Sequence, residues 1–329
     1  MSIRILLLIV TALVSGCVGD APRDNPLDPL SSSYPHTGNV SGRVVLANQG
    51  TGIAGAVISE EALDISVTSD SLGYFSFSGL SSGNHRFVCS KMNFDPDTFD
   101  VSIISGEQST VTCSLNSAPV VVSQNILSRK IDQYFPSPQY FVDVSAEVTD
   151  PNGIADLDSV WFNVDTLKFP MTYSVTSKNF LVSIYKNQFP TNTIQWLVGK
   201  ALHIISKDRN AAVNISDPFY VSRVIENTAS PIYPSSVNND TTGSYPVFRW
   251  SPPDVTFNYS YSIVVSRVDG GTQTVVWNYA GLNSIYEEIS FPRDGTAVPL
   301  QSGNYLWTVS VVDDFGNYAR SKESSFVVN

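Results

Sequence analysis

The chain is poor in cysteine, histidine and methionine, with three of each among 329 residues. So few cysteines cannot form the disulfide framework that staples small secreted domains. Apart from Cys17, only Cys89 and Cys113 remain. They either pair outside the cytoplasm or pack as two small hydrophobes, because a bond needs their Cα atoms within roughly 7 Å. The histidines are scattered: His36 falls in a proline-rich stretch, and His85 and His203 lie in separate expected strands. A histidine base needs a partner within hydrogen-bond reach, and no nucleophile–base set or metal-ligand spacing stands out. The zinc-binding pattern H-E-x-x-H is missing. The expectation is a protein that is not an enzyme and carries no cofactor. Charged residues make up only 15% of the chain, and the balance is acidic, with a net charge of −11. Nucleic acid calls for a basic footprint, so no nucleic-acid partner is expected. No apolar run reaches the roughly 20 residues that span a bilayer as a helix.

The longest apolar run is at the start. Met1-Ser2-Ile3-Arg4 is short and positive, residues 5–13 are mostly apolar, and Val14-Ser15-Gly16-Cys17 follows. That length suits the apolar region of a secretory signal. The pattern resembles a bacterial lipoprotein signal, which implies cleavage after residue 16 and lipidation of Cys17 with acyl chains such as palmitate. More than one chain gives stable anchoring, so the expected partner at this end is a membrane. Val18 stands where an aspartate would favour inner-membrane retention under the enterobacterial sorting rule. The expected location is therefore the bacterial cell envelope, at the outer membrane rather than the inner. Residues 17–37 are rich in proline and charge without a period, the composition of a segment that cannot bury enough surface to fold alone. They read as a lipidated tether.

Beyond residue 37 the abundant features are strand-forming Val, Thr and aromatic residues and turn-forming Gly, Asn, Ser and Pro. Runs of period two are separated by turns every ten residues or so, which predicts an all-β chain of sandwiches. In 38–117 the order is Val40-Ser-Gly-Arg-Val-Val45, Gly52-Ile-Ala-Gly-Ala-Val-Ile58, Thr68-Ser-Asp-Ser-Leu-Gly-Tyr-Phe-Ser-Phe77 and Leu80-Ser-Ser-Gly83. It resembles the carboxypeptidase regulatory-like domain, a transthyretin-like sandwich that is an accessory and not a peptidase. Asn93 departs from that family, which often has glycine there before an aromatic. In 118–226, Val144-Ser-Ala-Glu-Val148 runs into Asp150-Pro-Asn-Gly153, and a late hairpin turns at Lys207–Asn210. This stretch resembles a bacterial immunoglobulin-like domain. In 227–329, Trp250-Ser-Pro-Pro253, Tyr261-Ser-Ile-Val-Val265 and Leu300-Gln-Ser-Gly-Asn-Tyr-Leu-Trp-Thr-Val309 resemble a fibronectin type III-like domain. That resemblance implies that Trp250 fills the core.

Two sets of candidate binding residues follow. Asp150, Asn152, Asp156 and Asp158 cluster about one turn and supply oxygen ligands of the kind calcium takes, although the order is not that of an EF-hand. The competing reading is that Asp150 and Asn152 cap a β-turn while Asp156 and Asp158 are solvated. Trp277 and Tyr279 face the same way on a strand and are the candidates for stacking on a sugar, against the reading that they belong to the core. The function expected overall is a membrane-anchored, non-catalytic scaffold or adhesion protein with a protein partner in the envelope. The alternative is a glycan-binding lipoprotein of an uptake system.

Overall fold

The computed structural model describes residues 30–293, 295 and 297–329, together with 25 and 28. The expected signal segment, Cys17 and most of the tether lie outside the described residues. The protein is all-β: among the described residues the only helical pieces are 3-10 turns of three or four residues. No helix among them is long and apolar enough to cross a membrane. The chain divides into two compact units, Met1–Ala118 with Pro151–Gly153, and Pro119–Asp150 with Ile154–Asn329.

The first unit is a two-sheet sandwich. One sheet has Thr37–Leu46 at its centre, antiparallel to Tyr74–Ser81 and parallel to Gln108–Leu115. The other runs Ile65–Thr68, Val57–Glu60, Gly83–Ser90, Asp97–Ile103. Alternation decides which side chains turn inward. Phe75 and Phe77 are buried in alternation with exposed Tyr74, Ser76 and Ser78, and His85, Phe87 and Cys89 are buried on the next strand in the chain. The glycine motif has a mechanical reason. The Asp70 carboxylate accepts the N–H groups of Leu72 and Tyr74, each at 2.8 Å, and Gly73 sits at φ +88°, where a Cβ would lie 2.4 Å from the Val44 carbonyl oxygen. Asn93 takes φ +68°. Asparagine is one of the few non-glycine residues that visit this region readily, so the departure from the family pattern keeps the turn. Cys89 and Cys113 are free, fully buried thiols. The neighbouring Cys89 thiol, followed by burial, pushes the Cys113 thiol well above the ordinary thiol range.

The second unit contains two sandwiches with separate cores. In the first of them Thr172–Ser174, Asn179–Tyr185, Gln139–Thr149 and Val120–Ile131 form one sheet, and Leu167–Pro170, Leu157–Val164, Leu202–Asp208 and Val213–Ile215 form the other. In chain order these are D-E-B-A against C′-C-F-G, an immunoglobulin-like arrangement. In the second, Ser230–Tyr233, Val247–Ser251 and Glu288–Ser290 face a sheet of Thr272–Asn283, Tyr259–Asp269 and Gly303–Asp313. Both Tyr318–Arg320 and Ser324–Val328 lie along the far edge of Gly303–Asp313. This is the A-B-E against C′-C-F-G pattern of a fibronectin type III-like sandwich. Its core is aromatic: Phe248, Trp250, Tyr261, Tyr305 and Trp307 are buried.

The two cores change over between Val221 and Ile225, near the boundary expected at 227. The chain on either side nonetheless belongs to one compact unit. The cause is a shared sheet: Tyr318, Ala319 and Arg320 pair in parallel with Arg129, Lys130 and Ile131, which joins sheets of both sandwiches into one of ten strands.

Two substitutions test this packing. Trp250 is 1% exposed, with its ring edge-on to Tyr261 at 5.1 Å. Trp250→Ala is expected to cost about 3–5 kcal/mol in denaturant unfolding of the second unit. A loss below about 1 kcal/mol is outside what burial of a Trp allows. Gly73→Ala is expected to destabilise the first unit by at least about 1–3 kcal/mol, because the residue meets both a strained φ and a carbonyl.

Candidate functional site

The register of the immunoglobulin-like sandwich places an acidic cluster at one end. Leu157 pairs with Asp208 across Leu157–Val164 and Leu202–Asp208. Asp156, ending the 3-10 turn Ile154–Asp156, therefore comes beside Asp208, and Asp150, just past the strand Gln139–Thr149, joins them. The three carboxylates are buried, and ligand oxygens of all three lie within 4.8 Å of one another. Asp208 Oδ1 accepts the Ala212 N–H at 2.8 Å, and the Asp156 carbonyl accepts the Arg209 N–H at 2.9 Å. The Asn210 amide reaches Asp156 Oδ2 at 3.4 Å. Oxygen donors spaced this way are those a hard cation such as calcium takes as ligands.

Of the four residues expected at such a site, the structure brings together Asp150 and Asp156 and adds Asp208. Asn152 belongs to the first compact unit, where it accepts from the Ser117 N–H at 2.9 Å and donates to the Ala47 carbonyl at 2.8 Å. Asp158 is exposed and takes a hydrogen bond from the Ser159 hydroxyl at 2.9 Å. Asp208 was passed over because nothing local marks it. Only the pairing of two strands more than forty positions apart brings it to Asp156.

The fibronectin-like sandwich has the same turn with a different outcome. Asp313 ends its strand opposite Tyr259, as Asp208 does opposite Leu157. Its N–H donates to the Asn317 carbonyl and its Oδ1 accepts the Asn317 N–H at 2.9 Å, matching the Asp208–Ala212 pair. Here, however, the fully buried carboxylate meets a cation. Arg223 Nη1 lies 3.0 Å from Asp313 Oδ2, and the Asn317 amide nitrogen lies at the same distance. Asn317 also donates to the Ser222 hydroxyl, and its Oδ1 accepts the Ser128 N–H at 2.8 Å. Ser128 Oγ donates to the Arg223 carbonyl at 2.8 Å, and the Arg129 guanidinium donates to the Gly316 carbonyl. Arg223 lies 4.0 Å from the centre of the Phe257 ring, a cation–π contact. This network fastens the turn of one sandwich to the first strand of the other.

Trp277 and Tyr279 do face the same way, but inward. Trp277 is 4% exposed within the core, stacked near Phe248, and Tyr279 packs against that core. Trp277 offers no open ring face, and Tyr279 is half-buried beside it at 5.9 Å. As sugar-stacking candidates they are replaced by the core reading.

The expectation that no nucleophile motif is present needs a correction: Gly79-Leu80-Ser81-Ser82-Gly83 fits G-x-S-x-G. The structure places it at the end of Tyr74–Ser81, where the chain passes to Gly83–Ser90 of the other sheet, not on the strand-to-helix turn that exposes a nucleophile. Ser81 Oγ stands 3.5 Å from His85 Nε2, and His85 Nδ1 stands 3.1 Å from Glu60 Oε1, which has the outline of a triad. His85 Nε2, however, also lies 2.8 Å from the Ser81 carbonyl oxygen. A carbonyl only accepts, so that nitrogen carries a hydrogen and directs no lone pair at the hydroxyl. The set fastens the crossing from one sheet to the other.

Residues 39–116 match the carboxypeptidase regulatory-like domain family. No curated protein matches the chain. Among solved structures, it is similar to BcpA, the major pilin subunit of Bacillus cereus, at 11% identity over 89% of this chain and 95% of that one, with a TM-score of 0.30. It is similar to the fibronectin(III)-like modules of Clostridium thermocellum CbhA at 14% identity, over 64% of this chain and 92% of that one, with a TM-score of 0.29. It is also similar to domains FN1–FN3 of chicken CNTN1 at 9% identity, over 84% of this chain and 92% of that one, with a TM-score of 0.32. The sandwich assignment rests on the strand order described above.

Asp313 is fully buried while the Arg223 side chain is 29% exposed, so removing the carboxylate strips the turn of its hydrogen bonds but leaves a cation that water still reaches. Asp313→Ala is therefore expected to lower the stability of the second unit by about 1–3 kcal/mol, read by urea unfolding. Asp314→Ala, one position along and outside the network, serves as the control and is expected to change little.

Proposed function

We propose that the protein is a non-catalytic, lipid-anchored scaffold or adhesion protein of the bacterial cell envelope, tethered through Cys17 and presenting its sandwich loops to a protein partner. The observation that carries this reading is the junction in the second unit. The chain commits an ion pair with a buried carboxylate, a fully buried amide and a shared sheet to fixing one sandwich against the next. A presenting scaffold benefits from that rigidity, because loops on a rigid frame lose less entropy when a partner engages them. In chain order an accessory-type domain precedes that frame.

The lipoprotein-like pattern at Val14–Cys17 supports anchoring, and Val18 supports the outer membrane as the destination. Binding is assigned to loops because the conspicuous triad-like set, Ser81, His85 and Glu60, is turned to packing. The acidic cluster at Asp150, Asp156 and Asp208 lies at a sandwich end, where loops are displayed.

Two experiments address the two halves of this proposal. Cys17→Ser is expected to abolish fatty-acid labelling and to release the protein from membranes. Persistent labelling would remove the anchor from the reading. Removing residues 119–329, the second unit together with Pro151–Gly153 of the first, is expected to leave labelling intact and to abolish recovery of envelope partners by cross-linking. Full recovery without them, or turnover of a substrate by the purified chain that one substitution abolishes, would overturn the scaffold reading.

A further inference from the structure

The strands Val120–Ile131, Gln139–Thr149 and Asn179–Tyr185 end together at one edge of the second unit. Their register sets Lys130 opposite Tyr140, and Phe141 opposite Tyr185. The chain between the first two strands, 132–138, carries Tyr134 and Phe135, which are 69% and 92% exposed. Beside them lies a groove of about 430 Å³ lined by Ser137, Gln139, Tyr140, Tyr185, Lys186 and Gln188, with Pro136, Pro138 and Asn187 completing it. Two ammonium groups stand over the Tyr140 ring, Lys186 at 4.9 Å and Lys130 at 5.5 Å. A third, Lys322, stands 5.0 Å from the Tyr134 ring. No carboxylate lines the groove, although the chain as a whole carries a net charge of −11.

We infer that this groove binds an anionic polysaccharide. The inference rests on the surface-protein reading and deepens it by naming a ligand class. A sugar ring offers a flat C–H face, a rim of hydroxyls and, in an acidic glycan, a carboxylate or sulfate. Phe135 and Tyr185 supply exposed aromatic faces, Gln139, Gln188 and Ser137 supply amides and a hydroxyl, and Lys186 supplies a charge-assisted donor. A largely apolar floor with a few placed polar groups is the usual make-up of such sites. A peptide fits less well, because strand addition needs an open edge. Asn179–Tyr185 pairs along its length with Gln139–Thr149 and, through Asn179–Leu181, with Thr172–Ser174, so only Val182–Tyr185 is open on that side, a stretch shorter than the usual strand. The ordered turn beneath the groove, where Gln188 Oε1 accepts the Tyr185 N–H at 2.9 Å, sets the position of Lys186.

The test is calorimetric titration of the full chain in detergent with polygalacturonate, dextran sulfate, neutral dextran and poly-glutamate. Binding to polygalacturonate or dextran sulfate, and not to neutral dextran, is the expected result, and the stronger of the two identifies the anion as carboxylate or sulfate. Lys186→Gln and Phe135→Ser are each expected to weaken that binding about tenfold or more, with unchanged thermal unfolding. Lys168→Gln, exposed on the opposite sheet, is expected to bind like the parent. Binding to neither polyanion, parent-like binding by both groove variants, or poly-glutamate bound as tightly as the glycan would each overturn the inference. The same variants are expected to keep fatty-acid labelling and partner recovery. A failure confined to the titration therefore leaves the scaffold reading standing, and a loss of partner recovery in the block deletion is read separately.

Discussion

A carboxylate with no solvent access needs compensating charge or hydrogen bonds from whatever surrounds it, and Asp313 finds those in its own turn and in the segment that joins the two cores. Its partners, Arg223 and Asn317, bind in turn to Ser222 and Ser128. The stretch from Ser128 to Asn317 is thus held at both ends by one buried charge. Without that requirement the parallel pairing of Tyr318–Arg320 with Arg129–Ile131 would be three residues long, too short to fix two sandwiches by itself. The network and the pairing support each other, which is why two cores make one compact unit.

The equivalent position in the preceding sandwich shows how little a fold dictates about chemistry. Asp208 and Asp313 end corresponding strands and close the same kind of turn. One is met by a guanidinium and an amide, the other by two more carboxylates. The backbone delivers an acid to the end of each sandwich, and the neighbouring loop decides between a clamp and a set of oxygen ligands. The first unit makes a third use of buried polar chemistry, in which His85 and Glu60 fasten a sheet-to-sheet crossing that the sequence spells like a nucleophile motif.

Much of the fold is legible because it depends on neighbours in sequence. The alternation of Phe75 and Phe77, the Asp70–Gly73 turn and the position of Trp250 follow from period, φ preference and side-chain size. Alternation also told correctly that Trp277 and Tyr279 share a face; it could not tell which face, because parity is the same for a ring in the core and a ring in solvent. What long-range register creates was out of reach. Asp208 beside Asp156, Arg223 beside Asp313, and Lys186 beside Tyr140 all depend on which strands pair and at what offset. The exposed Tyr134 and Phe135 were readable in principle, since two aromatics among prolines outside any alternating run have no core to enter.

The parallel pairing at the junction also bears on mechanics. A force directed along Val120–Ile131 and Tyr318–Arg320 runs along the strands and across their hydrogen bonds. Such bonds are strained together and must yield together, unlike a hairpin peeled open one bond at a time. The Arg223–Asp313 pair lies in the same cross-section and shares that load. A protein tethered at one end and gripped at the other would carry tension through this section, and there the chain resists stretching by shear.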